Sequence, residues 1–111
     1  MYPPRVFSLQ KRVQLDDGIG GFEEKWKAVK KVSGYIDLLT GDDRTSPQQA
    51  FIEESTHVLV IPDYHVGITD EMRVVDDESR WYEITYSDNP VGIAHHNELY
   101  LKYGGVLQDG Q

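Results

Sequence analysis

The histidines of this chain are the residues whose types and spacing come nearest to a metal site. His95 and His96 are adjacent, and Glu98 follows closely. On a strand, neighbouring histidines point to opposite faces, so only His96 and Glu98 share a side. They supply two ligands, whereas a structural zinc site needs four. His57 and His65 would complete the set only through a fold that brings distant segments together. We therefore expect no metal site.

Paired aspartates are the second candidate for chemistry. Asp-Asp pairs begin at positions 16, 42 and 76, and each lies in a segment with the composition of a turn. Carboxylate pairs serve acid–base catalysis when their surroundings separate their pKa values, but aspartate is also a preferred turn residue. The chain has no Gly-rich phosphate loop and no G-x-S-x-G motif. We expect no catalytic residues and no cofactor, and a protein that is not an enzyme.

The aromatic residues offer a third possibility, a stacking platform for single-stranded nucleic acid. Trp26 and Trp81 accompany seven tyrosines, as on the binding face of OB-folds. Such platforms come with a basic groove, and the only basic cluster here is Lys11 and Arg12 together with residues 25–31. The sequence favours the simpler interpretation, in which the aromatics fill a core or a subunit interface.

Length and composition indicate one domain over residues 1–111, with loose ends at residues 1–4 and 104–111. The absence of cysteine excludes disulfides and thiolate metal sites. No apolar run approaches the roughly 20 residues that a membrane-spanning helix needs. The first residues lack the apolar segment of a signal peptide, so we expect synthesis in a cytoplasm.

The net charge of −8 is unevenly distributed. Residues 1–40 hold seven Lys/Arg and five Asp/Glu, a net +2, whereas residues 41–111 hold four and fourteen, a net −10. An acidic domain lacks the attraction that dominates non-specific DNA affinity. It can nevertheless stand beside DNA without gripping it, as the wall of a channel should. The simpler alternative is that the charge only keeps a small domain soluble.

Alternating apolar and polar residues predict an all-β domain. Six to seven short strands separated by turns are typical of a small barrel or sandwich, and we expect a closed or partly open β-barrel because closure removes exposed edges. Gly34 inside a strand indicates a bulge or a close backbone approach. The predicted strands cover residues 5–15, 22–29, 32–39, 57–61, 72–75, 81–86 and 93–103, and the predicted core comprises Trp26, Ile36, Leu38, Val58, Val60, Val74, Tyr82, Ile84, Leu99 and Leu101. In the strand over 81–86, Tyr82, Ile84 and Tyr86 are expected on one face.

A long polar connection, residues 40–54, separates two of the predicted strands. It can hold a short helix, because Ser46 can cap, Pro47 fits the first helical position and Gln49 stands where a capping-box partner belongs. Connections of this length are often functional. A plain crossover at one end of the barrel is an equally open interpretation.

A series of features follows in a fixed order over residues 5–103. It comprises an early strand, the turn from Asp17-Gly18 to Gly21, Phe22, Trp26, Ile36-Asp37-Leu38-Leu39-Thr40-Gly41, Thr56-His57-Val58, Ile68-Thr69, Met72-Arg73-Val74 and Trp81-Tyr82-Glu83-Ile84. Their order and spacing resemble the head–tail joining family of tailed bacteriophages, also called head-closure or stopper proteins. The hairpin turn Asp-Asp-Glu-Ser departs from the family, whose hairpin turn usually carries a glycine.

This resemblance implies a structural protein of the virion neck. It would bind beneath the portal and its adaptor protein after packaging, close the head channel and present a surface to the tail protein. It would form a ring, dodecameric in the assembled neck, through which double-stranded DNA passes without sequence-specific binding and without a membrane. The resemblance assigns channel gating to Thr40, Gly41, Asp42, Asp43, Arg44, Thr45, Ser46, Pro47, Gln48, Gln49 and Ala50, with Phe51 and Ile52 as anchors of the loop.

Two alternatives stay open. One is a tail-completion or tail-terminator protein of the same neck, which shares this size and β-rich composition. The other is an OB-like nucleic-acid-binding domain. Portal and capsid genes upstream would favour a connector, whereas a salt-dependent shift of DNA on a gel would favour the OB-like domain.

Overall fold

The computed structural model describes residues 3–39, 55–88 and 95–108, and in this part of the chain six antiparallel strands form one closed barrel. The all-β prediction is thereby confirmed. These residues contain no helix, and therefore none that could cross a membrane. The strands are β1 (Arg5–Asp16), β2 (Phe22–Leu38), β3 (His57–Ile61), β4 (Arg73–Val75), β5 (Arg80–Asp88) and β6 (Asn97–Val106). Their order around the barrel is β1-β2-β3-β6-β5-β4, and β4 pairs back onto β1.

The interior of the barrel is filled by one apolar cluster to which every strand contributes. Removal of this surface from water is the main stabilising term of such a fold. Five residues of the predicted core, Val74, Tyr82, Ile84, Leu99 and Leu101, belong to the cluster, and Ile36 packs against it. The other members are Phe7, Leu9, Val32, Leu59, Ile61, Ile68 and Met72.

Strand β3 shows why part of the predicted core needs correction. Its continuous apolar sequence predicted burial on both faces. Leu59 and Ile61 are fully buried, and alternation then places Val58 and Val60 on the opposite face, where they are only half-buried. The prediction that Val58 and Val60 lie in the core is therefore wrong, because the neighbouring residues Leu59 and Ile61 point inward instead.

Two further residues of the predicted core lie elsewhere. Leu38 is the last residue of β2 and is 61% exposed, because the next residue, Leu39, turns inward and is buried instead. Trp26 is half-buried and does not belong to the core cluster. Its ring packs against the Arg73 guanidinium group instead.

Strand β2 is a single strand of 17 residues where two were predicted. Leu9 pairs with Lys30 but Gln10 pairs with Ala28, so Val29 is an extra residue on β2. Such a bulge shifts the phase of side-chain alternation without ending the strand. The sequence pattern therefore resembled two separate strands.

The β1–β2 hairpin extends beyond the barrel. β4 pairs with β1 only over residues 8–10, and β3 pairs with β2 only over residues 35–38, whereas β1 and β2 remain paired as far as Asp16 and Phe22. Residues 11–27 therefore form a two-stranded extension, called here the arm. Its presence agrees with the elongated dimensions of the molecule, 51 × 28 × 26 Å.

The turn at the end of the arm is built by its two aspartates. The Asp16 carboxylate accepts a hydrogen bond from the Gly18 N–H at 2.8 Å, and the Asp17 carboxylate accepts one from the Ile19 N–H at 2.9 Å. Gly18 and Gly20 have φ of 83° and 88°, which glycine adopts without the usual steric cost. Here the paired carboxylates shape the backbone, as their turn-like surroundings predicted.

Gly34 makes the close backbone approach that the sequence indicated. A Cβ at this position would lie 2.6 Å from the Val60 carbonyl oxygen and 3.0 Å from Leu59 Cδ1. Backbone of a paired strand cannot move aside cheaply. We predict that Gly34→Ala lowers the free energy of unfolding by about 2 kcal/mol, measured by urea denaturation. The neighbouring exposed substitution Ser33→Ala is the control, and equal stability of the two variants would contradict the packing described.

Candidate interaction surfaces

The two ends of the long connection are fixed side by side at one end of the barrel. The Leu39 N–H donates a hydrogen bond to the Thr56 carbonyl oxygen at 2.9 Å, and the Thr56 N–H donates to the Leu101 carbonyl oxygen at 2.7 Å. Leu39 and Ser55 are both buried. These three residues, Leu39, Ser55 and Thr56, are called the loop stem. The predicted gating residues 40–50 and the anchors Phe51 and Ile52 lie outside the described residues.

A bulge in β5 supports the loop stem. Ile84 pairs with Leu101 and Tyr86 pairs with Tyr100, so Thr85 is the extra residue. The Thr85 hydroxyl donates a hydrogen bond to the Tyr100 carbonyl oxygen at 3.0 Å. The Ser55 hydroxyl lies 2.6 Å from the same Thr85 hydroxyl. The stem is thereby tied to β5 as well as to β6.

The same bulge corrects the face assigned to Tyr86. An extra residue moves Tyr86 onto the other side of the strand, where its ring stacks on Tyr100 with centroids 5.9 Å apart. Tyr100 alternates with the buried Leu99 and Leu101, so this stack lies on the outer face. Tyr86 therefore does not share the inward face of Ile84.

The Asp76 carboxylate is the centre of the acidic hairpin between β4 and β5, and its side chain is fully buried. Oδ1 accepts hydrogen bonds from the N–H groups of Glu78 at 2.8 Å and Arg80 at 2.9 Å. Oδ2 accepts from Arg80 Nε at 2.7 Å, Arg5 Nη2 at 3.3 Å and the Tyr82 hydroxyl at 3.3 Å. The carboxylate thus joins the start of β1, the end of β4 and the start of β5.

These hydrogen bonds determine the protonation of Asp76. Burial raises the pKa of the carboxyl group, but the backbone and side-chain hydrogen bonds from Arg80 and the backbone bond from Glu78 outweigh it. The pKa of Asp76 therefore lies below its ordinary value. Ser79 completes the turn with φ of 64°, a left-handed conformation that residues other than glycine adopt at a steric cost. The acidic turn is a structural anchor.

A groove of about 830 Å³ lies where the arm meets β4 and β5. Arg73 lines the groove and is 7% exposed. The carbon of its guanidinium group is 4.4 Å from the ring centre of Trp26, on the arm, and 5.6 Å from that of Trp81, on β5. Arg73 Nε donates to Gln10 Oε1 at 2.8 Å. The stack connects the arm to the barrel on the outer face, because Arg73 alternates with the buried Val74.

The Arg73 guanidinium group is buried but has no ion-pair partner among the described residues. Burial lowers the pKa of Arg73 from its ordinary value. Among the residues that the structure describes, no carboxylate forms an ion pair with it, although Glu83 is its partner in the β4–β5 register. Arg12 adds a second cation, 5.1 Å from the Trp26 ring centre. Sequence reasoning missed Arg73 and Gln10, because nothing local to either residue indicates that two distant tryptophans will enclose a guanidinium group.

Both tryptophan rings already have partners within the chain. Arg73 occupies a ring face of both Trp26 and Trp81. Trp81 also packs against Gly104, where a Cβ would lie 2.5 Å from its ring atoms. Both indoles serve the junction between the arm and the barrel.

The histidines do not form one group. His95 and His96 precede β6 instead of lying on a strand, so they do not diverge as predicted, and their ring centroids are 5.3 Å apart. His96 Nε2 lies 2.9 Å from the Glu98 carboxylate, the pair that alternation placed on one side. His65 and Asn97 exchange two hydrogen bonds through the His65 backbone, whereas His57 lies against the Tyr82 ring with centroids 5.3 Å apart. Burial is the main cause that lowers the pKa of His57. Within the described part of the chain, no three histidine or carboxylate side chains are grouped as metal ligands would be.

We predict that Asp76→Asn destabilises the protein by about 3 kcal/mol at pH 7, because it removes one partner of a buried charged network. A carboxylate whose pKa is lowered by folding contributes its full stabilisation above its pKa in the unfolded chain, about 4. This stabilisation is lost as the pH falls through its pKa in the folded protein. Urea denaturation between neutral and acidic pH should therefore show the difference between wild type and variant narrowing below about pH 4.

The matched control is Asp77→Asn in the same turn. Asp77 is exposed and pairs mainly with Arg5, so its loss should be much less costly. Equal destabilisation by the two substitutions, or a difference independent of pH, would contradict the role given to Asp76.

Comparison with known proteins bears directly on the identity of the chain. The model of the phage head completion protein family matches residues 4–102. No curated protein sequence matches. Among solved structures, the solution structure of protein SF1141 from Shigella flexneri 2a has a TM-score of 0.75 at 16% identity and covers 92% of this chain and 93% of that one.

A second solved structure, a chain from the virion of a native gene transfer agent particle, has a TM-score of 0.59 at 19% identity and covers 96% of this chain and 99% of that one. At these identities the two structures establish the shared fold. The family match is independent of them and spans most of the sequence. The chain therefore belongs to the phage head completion protein family, and its role is that of a structural component of the virion.

Proposed function

We propose that the protein closes the DNA channel of the filled head and that residues 40–54 are its gating segment. The observation that supports this proposal is the loop stem. Both ends of the segment leave the barrel at adjacent positions, joined by the hydrogen bond from Leu39 N–H to the Thr56 carbonyl oxygen. Leu39 and Ser55 of the stem are buried, and the stem is connected to β5 and β6.

A stem of this kind suits a gate because the gating segment must move while the barrel stays rigid. The folded barrel already holds the two ends of the segment together, so the segment can rearrange without disturbing the core. The barrel can meanwhile keep fixed contacts with its neighbours. A segment that changes conformation on assembly should have low local stability of its own, and its polar sequence agrees with that.

The charge of the chain supports a barrier that does not bind DNA. Asp42 and Asp43 lie in the proposed gate, and residues 41–111 carry a net −10. Repeated around a ring, these carboxylates would repel phosphates. Double-stranded DNA would therefore pass or be stopped without sequence-specific binding. A ring also multiplies weak contacts between copies, so no single interface needs to be large.

The proposed location is beneath the portal-associated adaptor, with the opposite face available to a tail-completion or other tail protein. The family description supports a place in the completed head. The principal alternative within the neck is a tail-completion protein, which would join tails but would not be needed to retain DNA.

We predict that deleting residues 42–49 leaves the isolated domain folded, because the loop stem remains. Heads assembled with this variant should lose their DNA, measured as nuclease-sensitive DNA after packaging. A second variant replaces the same residues with a Gly/Ser segment of equal length, which tests whether the chemistry of the segment or only its length matters. Deletion of residues 109–111 is the control and should leave DNA retention unchanged.

The outcomes separate the candidate functions. Heads that keep their DNA and join tails normally would contradict the gate. Heads that keep their DNA but fail to join tails would instead support the tail-completion alternative. The melting temperature of each isolated variant verifies that a loss of DNA does not simply report an unfolded protein.

A further inference from the structure

Four lysines share one face of the arm and of its base. Lys11 is opposite Lys27 in the β1–β2 register, and residues opposite each other in an antiparallel ladder point to the same side. Alternation places Lys25 on that side as well, and Lys30 joins it because it is opposite Leu9, two residues before Lys11. All four lysine side chains are exposed. This surface, formed by Lys11, Lys25, Lys27 and Lys30, is called here the lysine face.

The lysine face has an excess of positive charge although the whole chain is acidic. Glu23, opposite Leu15, is the one carboxylate of β1 and β2 that shares this side. Alternation places Asp16 and Glu24 on the other side of the arm. The two strands therefore supply four lysines and a single carboxylate to this surface.

The ammonium groups have no counter-ion within the part of the chain that the structure describes. None of the ion pairs there includes a lysine. Asp70 and Glu71 line the groove beside Lys11 without forming such a pair. Lys30 Nζ lies 3.4 Å from a ring nitrogen, His65 Nδ1. An anion from outside the chain would therefore meet four cations whose charge is not yet paired.

The opposition of Lys11 and Lys27 works against the stability of the arm. Like charges directly opposite each other in a ladder are destabilising, and a two-stranded hairpin has little stability in reserve. Lysines also protect free strand edges from pairing with other chains, but that role does not require them to share a face. Their concentration on one side is instead the electrostatic pattern of a surface that binds a polyanion.

Double-stranded DNA is the polyanion that this surface fits best. The major groove of a duplex admits a two-stranded β-ribbon, and the arm is a ribbon that extends beyond the barrel. Lysine is a flexible point charge, which suits contacts to phosphates that carry no sequence information. A protein partner matches less well, because protein interfaces are poor in lysine and only Val13 and Leu15 add apolar surface here. Membership of a phage head protein family makes a DNA duplex available.

We propose that the lysine face of the arm binds the phosphates of double-stranded DNA without reading its sequence. The loop stem, from which the proposed acidic gate leaves, is at the other end of β2, because Lys25 is near the first residue of this strand and Leu39 follows its last. The arm would thus attract DNA while the gate repels it. The inference goes beyond channel closure and does not rest on it, since a chain that binds DNA could still fail to close a head, and the reverse.

The test is the fluorescence anisotropy of a labelled duplex of about 20 base pairs, two helical turns, titrated with the full-length protein. Four phosphate contacts predict that the logarithm of the association constant falls with the logarithm of the salt concentration with a slope of about −3.6. The affinity should therefore decrease on the order of a hundredfold between about 50 and 200 mM salt. Duplexes of unrelated sequence should give the same slope.

A pair of matched double variants locates the contact. Lys25→Gln with Lys27→Gln should weaken binding at least about tenfold at ~50 mM salt and reduce the slope to about −1.8, because two of the four contacts are lost. The control, Lys31→Gln with Lys102→Gln, removes the same charge from exposed positions outside the lysine face and should change neither quantity. All four side chains are exposed, so both variants should keep the melting temperature of the wild type.

Three results would overturn the proposal. The first is no binding of the duplex at ~50 mM salt with up to about 300 µM protein, or an equal loss of affinity in the two variants. The second is a preference for single-stranded DNA with a change in the emission of Trp26 and Trp81, which would support the OB-like domain instead. The third is poly-glutamate that binds in place of DNA and depends on Lys25 and Lys27, which would make the face a site for an acidic protein segment.

Discussion

Closure of the barrel depends on a strand of three residues. β4 joins β1 on one side and β5 on the other through Arg73, Val74 and Val75 alone. Such a short ladder supplies few hydrogen bonds, so the register must be fixed by what flanks it. Immediately after β4, the buried Asp76 carboxylate binds Arg5 at the start of β1 and Arg80 at the start of β5. The three strands meet at one ionised group, and the core inside them depends on that closure.

Strand β2 connects the arm, the barrel wall and the loop stem. Its first part belongs to the arm, its residues 35–38 pair with β3 in the barrel wall, and the residue after it, Leu39, opens the loop stem. The stack of Trp26 on Arg73 connects the arm to the strand that closes the barrel. One long strand therefore links the arm with the stem of the proposed gating segment.

The sequence predicted the strands of the barrel because their alternation is regular where they line the core. It failed at strand β3, where a continuous apolar sequence does not reveal which face is buried, and at two bulges that shift the alternation. Val29 made one strand resemble two, and Thr85 moved Tyr86 to the outer face. The groove could not be foreseen at all, since Trp26, Arg73 and Trp81 are far apart in sequence and only closure of the barrel brings them together. The long connection was predicted from its length and polarity, and its residues 40–54 lie outside the part of the chain that the structure describes.

Channel closure requires the end of the barrel that bears the loop stem to face the axis of the neck. Electron cryomicroscopy of the neck on DNA-filled heads tests this orientation most directly, because the rigid barrel can be fitted through its strands alone. The account predicts that Leu39 and Ser55 lie on the side nearest the channel axis in every copy of the ring. A ring in which the stem faces outward, with another part of the barrel lining the channel, would contradict it.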